Sequence, residues 1–227
     1  MNPVCFHLLG RPIYWYGVMF ALAFLAGVLN WHLILRKEGR RTDLAADLAF
    51  WLMLSGIIGA RLAYVFANLH SYFPENPTSV FRIDEGGLVF YGGLITAGIT
   101  VFFMARRYKQ PLLKFLDFVI TALPLGHALG RVGCFINGCC YGSKTNVPWA
   151  VVLDGVHRHP VQLYEAGINL LIYVALLVLY FKRKKDGLVL ACYLIVYSVT
   201  RFILEFVRGD ERLCWLGLDF AQWVSVG

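Results

Sequence analysis

Charged side chains are scarce in this chain: only 15% of its 227 residues are Asp, Glu, Lys or Arg, where a soluble domain carries about a quarter. Acidic residues are the scarcer sign, 14 against 21 basic. Such a composition does not suit a water-soluble domain of this length. No low-complexity segment, internal repeat or composition boundary interrupts the chain, so a single domain over 1–227 is expected. A Cys-x-x-Cys pair is also lacking, which removes the usual thiol redox motif. No basic stripe lies on a water-soluble element, so nucleic acid is not an expected partner.

What is present is apolar and comes in long blocks: 59% of the residues are hydrophobic. A run of about 20 apolar residues crosses the hydrocarbon layer as a helix. The first run, 14–35, holds no Asp, Glu, Lys or Arg. It is too long for a cleaved signal peptide, and its basic cluster follows it instead of preceding it. Five more runs occupy 44–69, 87–104, 115–135, 159–181 and 187–207. The stretch 218–227 reads as the opening of a seventh, cut short. The expected fold is an all-α polytopic helix bundle, six full spans plus the start of a seventh. The loops 70–86 and 136–158 are the only ones long enough for extra structure.

Orientation follows from Lys and Arg. Arg36, Lys37, Arg40 and Arg41 follow the first span, Arg106, Arg107, Lys109 and Lys114 the third, and Lys182, Arg183, Lys184 and Lys185 the fifth. The positive-inside rule puts these loops in the cytoplasm and the N-terminus outside. The net charge of +7 is thus mostly a topology signal.

Three arginines fall inside spans: Arg61, Arg131 and Arg201. At the centre of a membrane an arginine costs roughly 2.5 to 3.5 kcal/mol on insertion scales, and by default it marks function. Counted from the cytoplasmic helix starts, all three lie roughly 21 to 26 Å into a layer about 30 Å thick, near the outer face. Snorkelling to interfacial phosphates is one reading. A shared anion site is the other, favoured by three arginines at one depth. Glu205 one turn after Arg201, and Arg208 beyond it, would hold the Arg201 guanidinium in place. The planar fork of arginine suits a phosphate, so an outward-facing phospholipid headgroup site is expected.

Six segments, in order, resemble the prolipoprotein diacylglyceryl transferase family. They are Trp15-Tyr16-Gly17, Gly59-Ala60-Arg61-Leu62-Ala63-Tyr64-Val65, Tyr91-Gly92-Gly93-Leu94-Ile95, Gly130-Arg131-Val132-Gly133-Cys134-Phe135-Ile136-Asn137-Gly138, Arg158-His159-Pro160-Val161-Gln162-Leu163-Tyr164-Glu165 and Arg201-Phe202-Ile203-Leu204-Glu205-Phe206-Val207-Arg208. The resemblance implies a seven-span enzyme of the bacterial cytoplasmic (inner) membrane, acting near the outer leaflet without a cofactor. It implies transfer of the diacylglyceryl group of phosphatidylglycerol to the lipobox cysteine of a preprolipoprotein signal peptide, forming a thioether and releasing glycerol 1-phosphate. By the same resemblance Arg131 binds the headgroup and Arg201 is a phosphate or transition-state partner. Arg61, Tyr16 and Asn137 join the lipid site, and Glu205, Arg208, His159, Gln162 and Glu165 support it. Tyr64 is a further candidate for positioning the lipid.

The chain departs from the family pattern at three positions. Tyr91 stands where the family often has a histidine assigned as a base, and a tyrosine with a pKa of about 10 is a poor base at neutral pH. Tyr91 is kept with Arg131 and Arg201 as a catalytic candidate, while His127, one turn before Arg131 on the same face, and His159 are substitute bases. Cys134 and Cys139 replace an asparagine and a glutamate. With Cys140 they form a C-x4-C-C cluster that matches no zinc signature, so no metal is expected. A disulfide, with Cys214 a candidate partner, and plain packing both stay open. Two alternatives remain, a related lipid-modifying enzyme with another acceptor and an anion transporter; the sequence shows neither the repeats nor the broken helices expected of a transporter.

Overall fold

The computed structural model describes residues 4–8, 10–69, 80, 86–153, 155–209, 214–215 and 218–219. Along the chain come β1 (Val4–Leu8), β2 (Arg11–Tyr14), α1 (Trp15–Lys37), α2 (Asp43–Ala67), α3 (Phe90–Arg107), α4 (Leu112–Ile120) and α5 (Leu123–Asn137). There follow β3 (Val151–Leu153), β4 (Val156–Arg158), α6 (Val161–Lys182), α7 (Leu188–Glu205), β5 (Cys214–Trp215) and β6 (Leu218–Asp219). The fold is mostly helical, as expected. Among the described residues it adds three short antiparallel hairpins, β1–β2, β3–β4 and β5–β6, to an otherwise all-α fold. The β3–β4 hairpin falls in the long loop 136–158; the N-terminal hairpin was not foreseen.

Among the described residues, five stretches are long and apolar enough to cross a membrane: Trp15–Lys37, Asp43–Ala67, Leu112–Asn137, Val161–Lys182 and Leu188–Glu205. The expected third span forms α3, of 18 residues, but is not among the five. Gly92, Gly93, Thr96 and Thr100 dilute its apolarity, and Arg106 and Arg107 close it. The expected seventh span lies almost wholly outside the described residues; its first two, Leu218–Asp219, are a strand.

The helices carry apolar residues outward. Leu22, Leu25, Leu29 and Leu33 of α1 are all exposed, as are Leu171, Val174 and Val178 of α6. Their helical spacing makes stripes suited to lipid, where an apolar side chain has no reason to be buried. Polar residues go inward: Asn30, Asp117, Thr121, Gln162, Glu165, Asn169 and Glu205 are buried.

Two compact units divide the chain, Met1–Trp31 with Asp117–Gly227, and His32–Leu116. Within the first, α5, α6 and α7 pack side by side. Pro124 opens α5, and a proline cannot tolerate the carbonyl one turn before it, so the span Leu112–Asn137 breaks at Thr121. The Thr121 hydroxyl donates to Phe118 O at 2.7 Å and accepts from Asn30 Nδ2 at 2.9 Å, while Tyr173 Oη donates to Asn30 Oδ1 at 3.0 Å. Asp117 caps α7 from a distance in sequence: its carboxylate accepts from Gly187 N and Leu190 N, each at 2.9 Å, and pairs with Arg183 at 3.4 Å.

In the second unit α2 and α3 pack closely. A Cβ at Gly92 would stand 2.4 Å from both Gly59 O and Ala63 Cβ, so only glycine allows this approach. Thr96 Oγ1 donates across to Ser55 O at 2.8 Å. Tyr108, just past α3, donates to Asp47; burial first, and this bond second, raise its pKa.

Candidate active site

The first unit gathers most of the sequence candidates around Arg131. This arginine projects from α5, and its Nη2 lies 3.0 Å from Glu165 Oε1 on α6. Glu165 is 2% exposed, and a carboxylate that deep requires a charged or hydrogen-bonding partner. Gln162, Glu165 and Asn169 form one polar stripe at helical spacing on an otherwise apolar α6. Gln162 Nε2 donates to Cys139 O at 2.8 Å, and Asn169 Nδ2 donates to Glu165 O at 2.8 Å. Their remaining acceptors, Gln162 Oε1, Glu165 Oε2 and Asn169 Oδ1, are buried with no hydrogen-bond partner among the described residues. Leaving such atoms unpaired costs about 1–3 kcal/mol each, so the stripe can accept hydrogen bonds from a donor that reaches it.

A second guanidinium pair sits at the end of α7. Arg201 donates to Glu205 one turn on, and Arg208 Nε stands 3.9 Å from the same carboxylate oxygen. Backbone bonds fix this end. Segment 141–145 runs between 157–159 and 207–209 through Gly142 N to His159 O at 3.1 Å, His159 N to Ser143 O at 3.0 Å, and Ser143 N to Val207 O at 2.9 Å. A Cβ at Gly142 would stand 2.5 Å from His159 O. Arg158 lies over the Tyr141 ring at 4.2 Å.

The chain turns back just after α5. Gly138 caps the helix in the left-handed region at φ 74, and Cys140 takes the same region at φ 59. A non-glycine residue rarely adopts that conformation, and such strain gathers at functional sites. The turn brings the Sγ atoms of Cys134, Cys139 and Cys140 within 4.8 Å of one another. All three are free thiols of intermediate exposure. The neighbouring Cys134 thiol lowers the Cys140 thiol from its ordinary value against the opposing effect of burial, and the charges of Arg208 and Arg131 act in the same direction. Cys214, a candidate disulfide partner, has a side chain outside the described set.

His127 sits among aromatics. Its Nδ1 is 3.4 Å from Tyr193 Oη, and its ring lies 5.2 Å from that of Tyr197. His159 Nδ1 is 3.3 Å from Tyr164 Oη, which accepts from Trp149 Nε1 at 2.6 Å. Tyr16 and Asn137 are exposed. A Cβ at Gly133 would stand 3.0 to 3.6 Å from the first side-chain atoms of Met19 and the ring of Tyr16.

Arg61 and Tyr91 belong to the second unit. Arg61 is buried and donates to Val80 O at 2.9 Å, Gly86 O at 2.7 Å and Gly87 O at 3.1 Å. Its guanidinium lies 5.3 Å from the Tyr64 ring centroid. Tyr91 is 50% exposed in the first turn of α3, edge-on to Phe90.

Sequence reasoning missed Asn169, Asp117, Tyr193 and Tyr197. Asn169 was findable, since it continues the spacing of Gln162 and Glu165 down an apolar helix. Asp117 was findable by the rule applied to the arginines, that a charge inside an apolar run needs a reason.

Comparison with known proteins finds one family along nearly the whole chain. The family model described as prolipoprotein diacylglyceryl transferase matches residues 3–227. A protein of Clostridioides difficile named phosphatidylglycerol–prolipoprotein diacylglyceryl transferase is 38% identical over 232 residues, covering 100% of this chain and 90% of its own. Proteins of the same name from Finegoldia magna and Clostridium tetani are 36% and 34% identical, each over 100% of this chain and over 91% and 93% of their own lengths.

Proposed function

The chain belongs to the prolipoprotein diacylglyceryl transferase family, and from that premise we propose that it transfers the diacylglyceryl group of phosphatidylglycerol to the cysteine thiol of a prolipoprotein. The observation that carries the reading is Arg131 paired with buried Glu165 beside three unpartnered acceptors of α6. The lipid headgroup is a phosphodiester that ends in a glycerol with free hydroxyls. A guanidinium takes the phosphate through parallel hydrogen bonds. Gln162 Oε1, Glu165 Oε2 and Asn169 Oδ1 take the hydroxyl donors.

In the reaction the acceptor thiol loses its proton and its sulfur attacks the glycerol carbon that bears the phosphate. The carbon–oxygen bond breaks, its electron pair leaves with glycerol 1-phosphate, and a thioether remains. Arg131, preorganised by Glu165, stabilises the charge that develops on the departing phosphate. Arg201, held with Arg208 on Glu205, supplies a second positive group. Tyr16 and Asn137 contact the lipid, and His159 braces Tyr164. Arg61 contributes by holding the backbone at Val80, Gly86 and Gly87. Tyr91 acts through its hydroxyl; His127 and His159 are the histidine candidates for base.

We place the protein in the bacterial cytoplasmic membrane with its N-terminus outside and the site near the outer leaflet. The basic loops support that orientation. Counting α3, which at 18 residues is about 27 Å long, gives six spans. Its partners are phosphatidylglycerol and signal peptides, not nucleic acid.

The test is release of glycerol phosphate from phosphatidylglycerol by the purified chain, with a lipobox peptide and with its Cys→Ser counterpart. Cysteine-dependent release, lost in Arg131→Ala, is expected. Absence of release from folded protein that still binds the lipid would favour another acceptor.

A further inference from the structure

The three thiols at the end of α5 are placed with more care than packing needs. Cys134 lies one turn after Arg131 on the same helix. Gly138 and Cys140 both take left-handed backbone conformations to return the chain, and Cys139 N donates back to Cys134 O at 3.1 Å. The Cys139 carbonyl is itself held by Gln162 of α6 at 2.8 Å. The outcome is a triangle of sulfurs, all within 4.8 Å of one another, none fully buried.

A tetrahedral zinc ion with Zn–S bonds of about 2.3 Å needs sulfurs about 3.8 Å apart. Side-chain rotation closes the remaining gap. Thiolates select soft or borderline cations such as zinc. Three thiolates on a divalent ion leave a net negative charge, which the guanidinium groups of Arg131 and Arg208 offset.

We propose that Cys134, Cys139 and Cys140 bind one zinc ion, and that its open fourth position takes the acceptor cysteine as a thiolate. Three protein ligands and one exchangeable position are the arrangement of catalytic zinc. Binding of the ion releases the protons of the three cysteines to solvent. Coordination of the acceptor releases its proton too, since a coordinated thiol is deprotonated outright. The acceptor sulfur then attacks the glycerol carbon, the carbon–oxygen bond breaks, and the electron pair leaves on the phosphate beside Arg131. No residue need act as base. The metal site stands on the cysteine geometry alone; its role in transfer rests on the proposed function.

The experiment uses the full chain in detergent, reduced, stripped of metal and titrated with cobalt(II) as the probe. One equivalent should bind with sulfur-to-cobalt charge-transfer absorption and the strong visible bands of a tetrahedral site, and zinc should displace it. Cys139→Ser and Cys140→Ser should weaken binding more than about 100-fold, beyond the roughly 10- to 100-fold effect of outer-shell changes. Cys192→Ser should not. In the unsubstituted protein, zinc should shield the three thiols, but not Cys192, from alkylation read by mass spectrometry, which needs no variant to fold. A lipobox peptide should shift the visible bands, and its Cys→Ser counterpart should leave them unchanged. Failure to bind cobalt, binding indifferent to the substitutions, or a disulfide within the trio that persists in the reduced protein would overturn the site. Transfer by metal-free protein at the zinc-loaded rate would overturn the catalytic role and leave the proposed function standing. Cobalt binding with no transfer to any peptide would sink the proposed function and leave the site.

Discussion

Arg131 Nη2 lies 3.0 Å from Glu165 Oε1, the arginine side chain 21% exposed and the glutamate 2%. One end of the pair is deep and fixed, the other reaches outward. A guanidinium so held has its orientation set from below and can offer donors on its exposed side, which in the proposed reaction would limit reorganisation.

Arg131→Ala should reduce transfer by about 100-fold or more with membrane insertion unchanged. Arg131→Lys should recover only part of the loss, because an ammonium lacks the planar fork. Turnover of both variants, measured beside their level in isolated membranes, checks this; a fully active Arg131→Ala would sink the assigned role.

Glu165→Gln should raise KM and lower kcat together, by about 10-fold or more, since residues in direct contact act as a unit. The double variant Arg131→Ala with Glu165→Gln should be no worse than Arg131→Ala alone. Additive losses would mean that Glu165 acts independently of Arg131.

Tyr91→Phe should cost less activity than Arg131→Ala. Tyr91 is half exposed on the first turn of α3, so losing the hydroxyl leaves the packing there intact. The reverse ranking in a side-by-side rate comparison would make Tyr91 the chemical centre.

Asp117→Asn should lower the melting temperature with KM nearly unchanged. It removes the charge from two backbone hydrogen bonds of 2.9 Å and from the pair with Arg183, and bonds to charged groups contribute about 1.5–3 kcal/mol each. Thermal unfolding in detergent, run beside lipid titration, separates the stability effect from the binding effect.

Gly92→Ala should destabilise the second unit by about 1–3 kcal/mol. The added methyl meets the Gly59 carbonyl and the Ala63 side chain at 2.4 Å, and backbone cannot step aside cheaply. Gly98→Ala, with open space at its Cβ position on the same helix, is the matched control and should leave the melting temperature almost unchanged.

The spans were legible because crossing a bilayer imposes length and apolarity directly on the sequence. Five of the expected runs reappear as helices long and apolar enough to cross. The third does not, because its glycines serve the close approach to α2 and dilute the apolar signal that the rule reads. The N-terminal hairpin was invisible for a related reason: strand pairing at Val4–Leu8 and Arg11–Tyr14 leaves only a short pattern beside the long run of α1.

Within the site, the sequence by itself determined the charges that had to be accounted for. Arg131, Arg201 and Glu205 stand out in apolar helices, and Gln162 and Glu165 belong to the same kind of stripe. The tertiary structure decided how they are paired. Arg201 keeps the i,i+4 partner that helical spacing predicts. Arg131 takes Glu165 from another helix, and Arg61 takes backbone carbonyls. Spacing rules reach only about one turn along a single helix. Contacts between helices, and the meeting of three thiols across a left-handed turn, depend on how the helices pack and on a backbone conformation at Cys140 that its residue type disfavours.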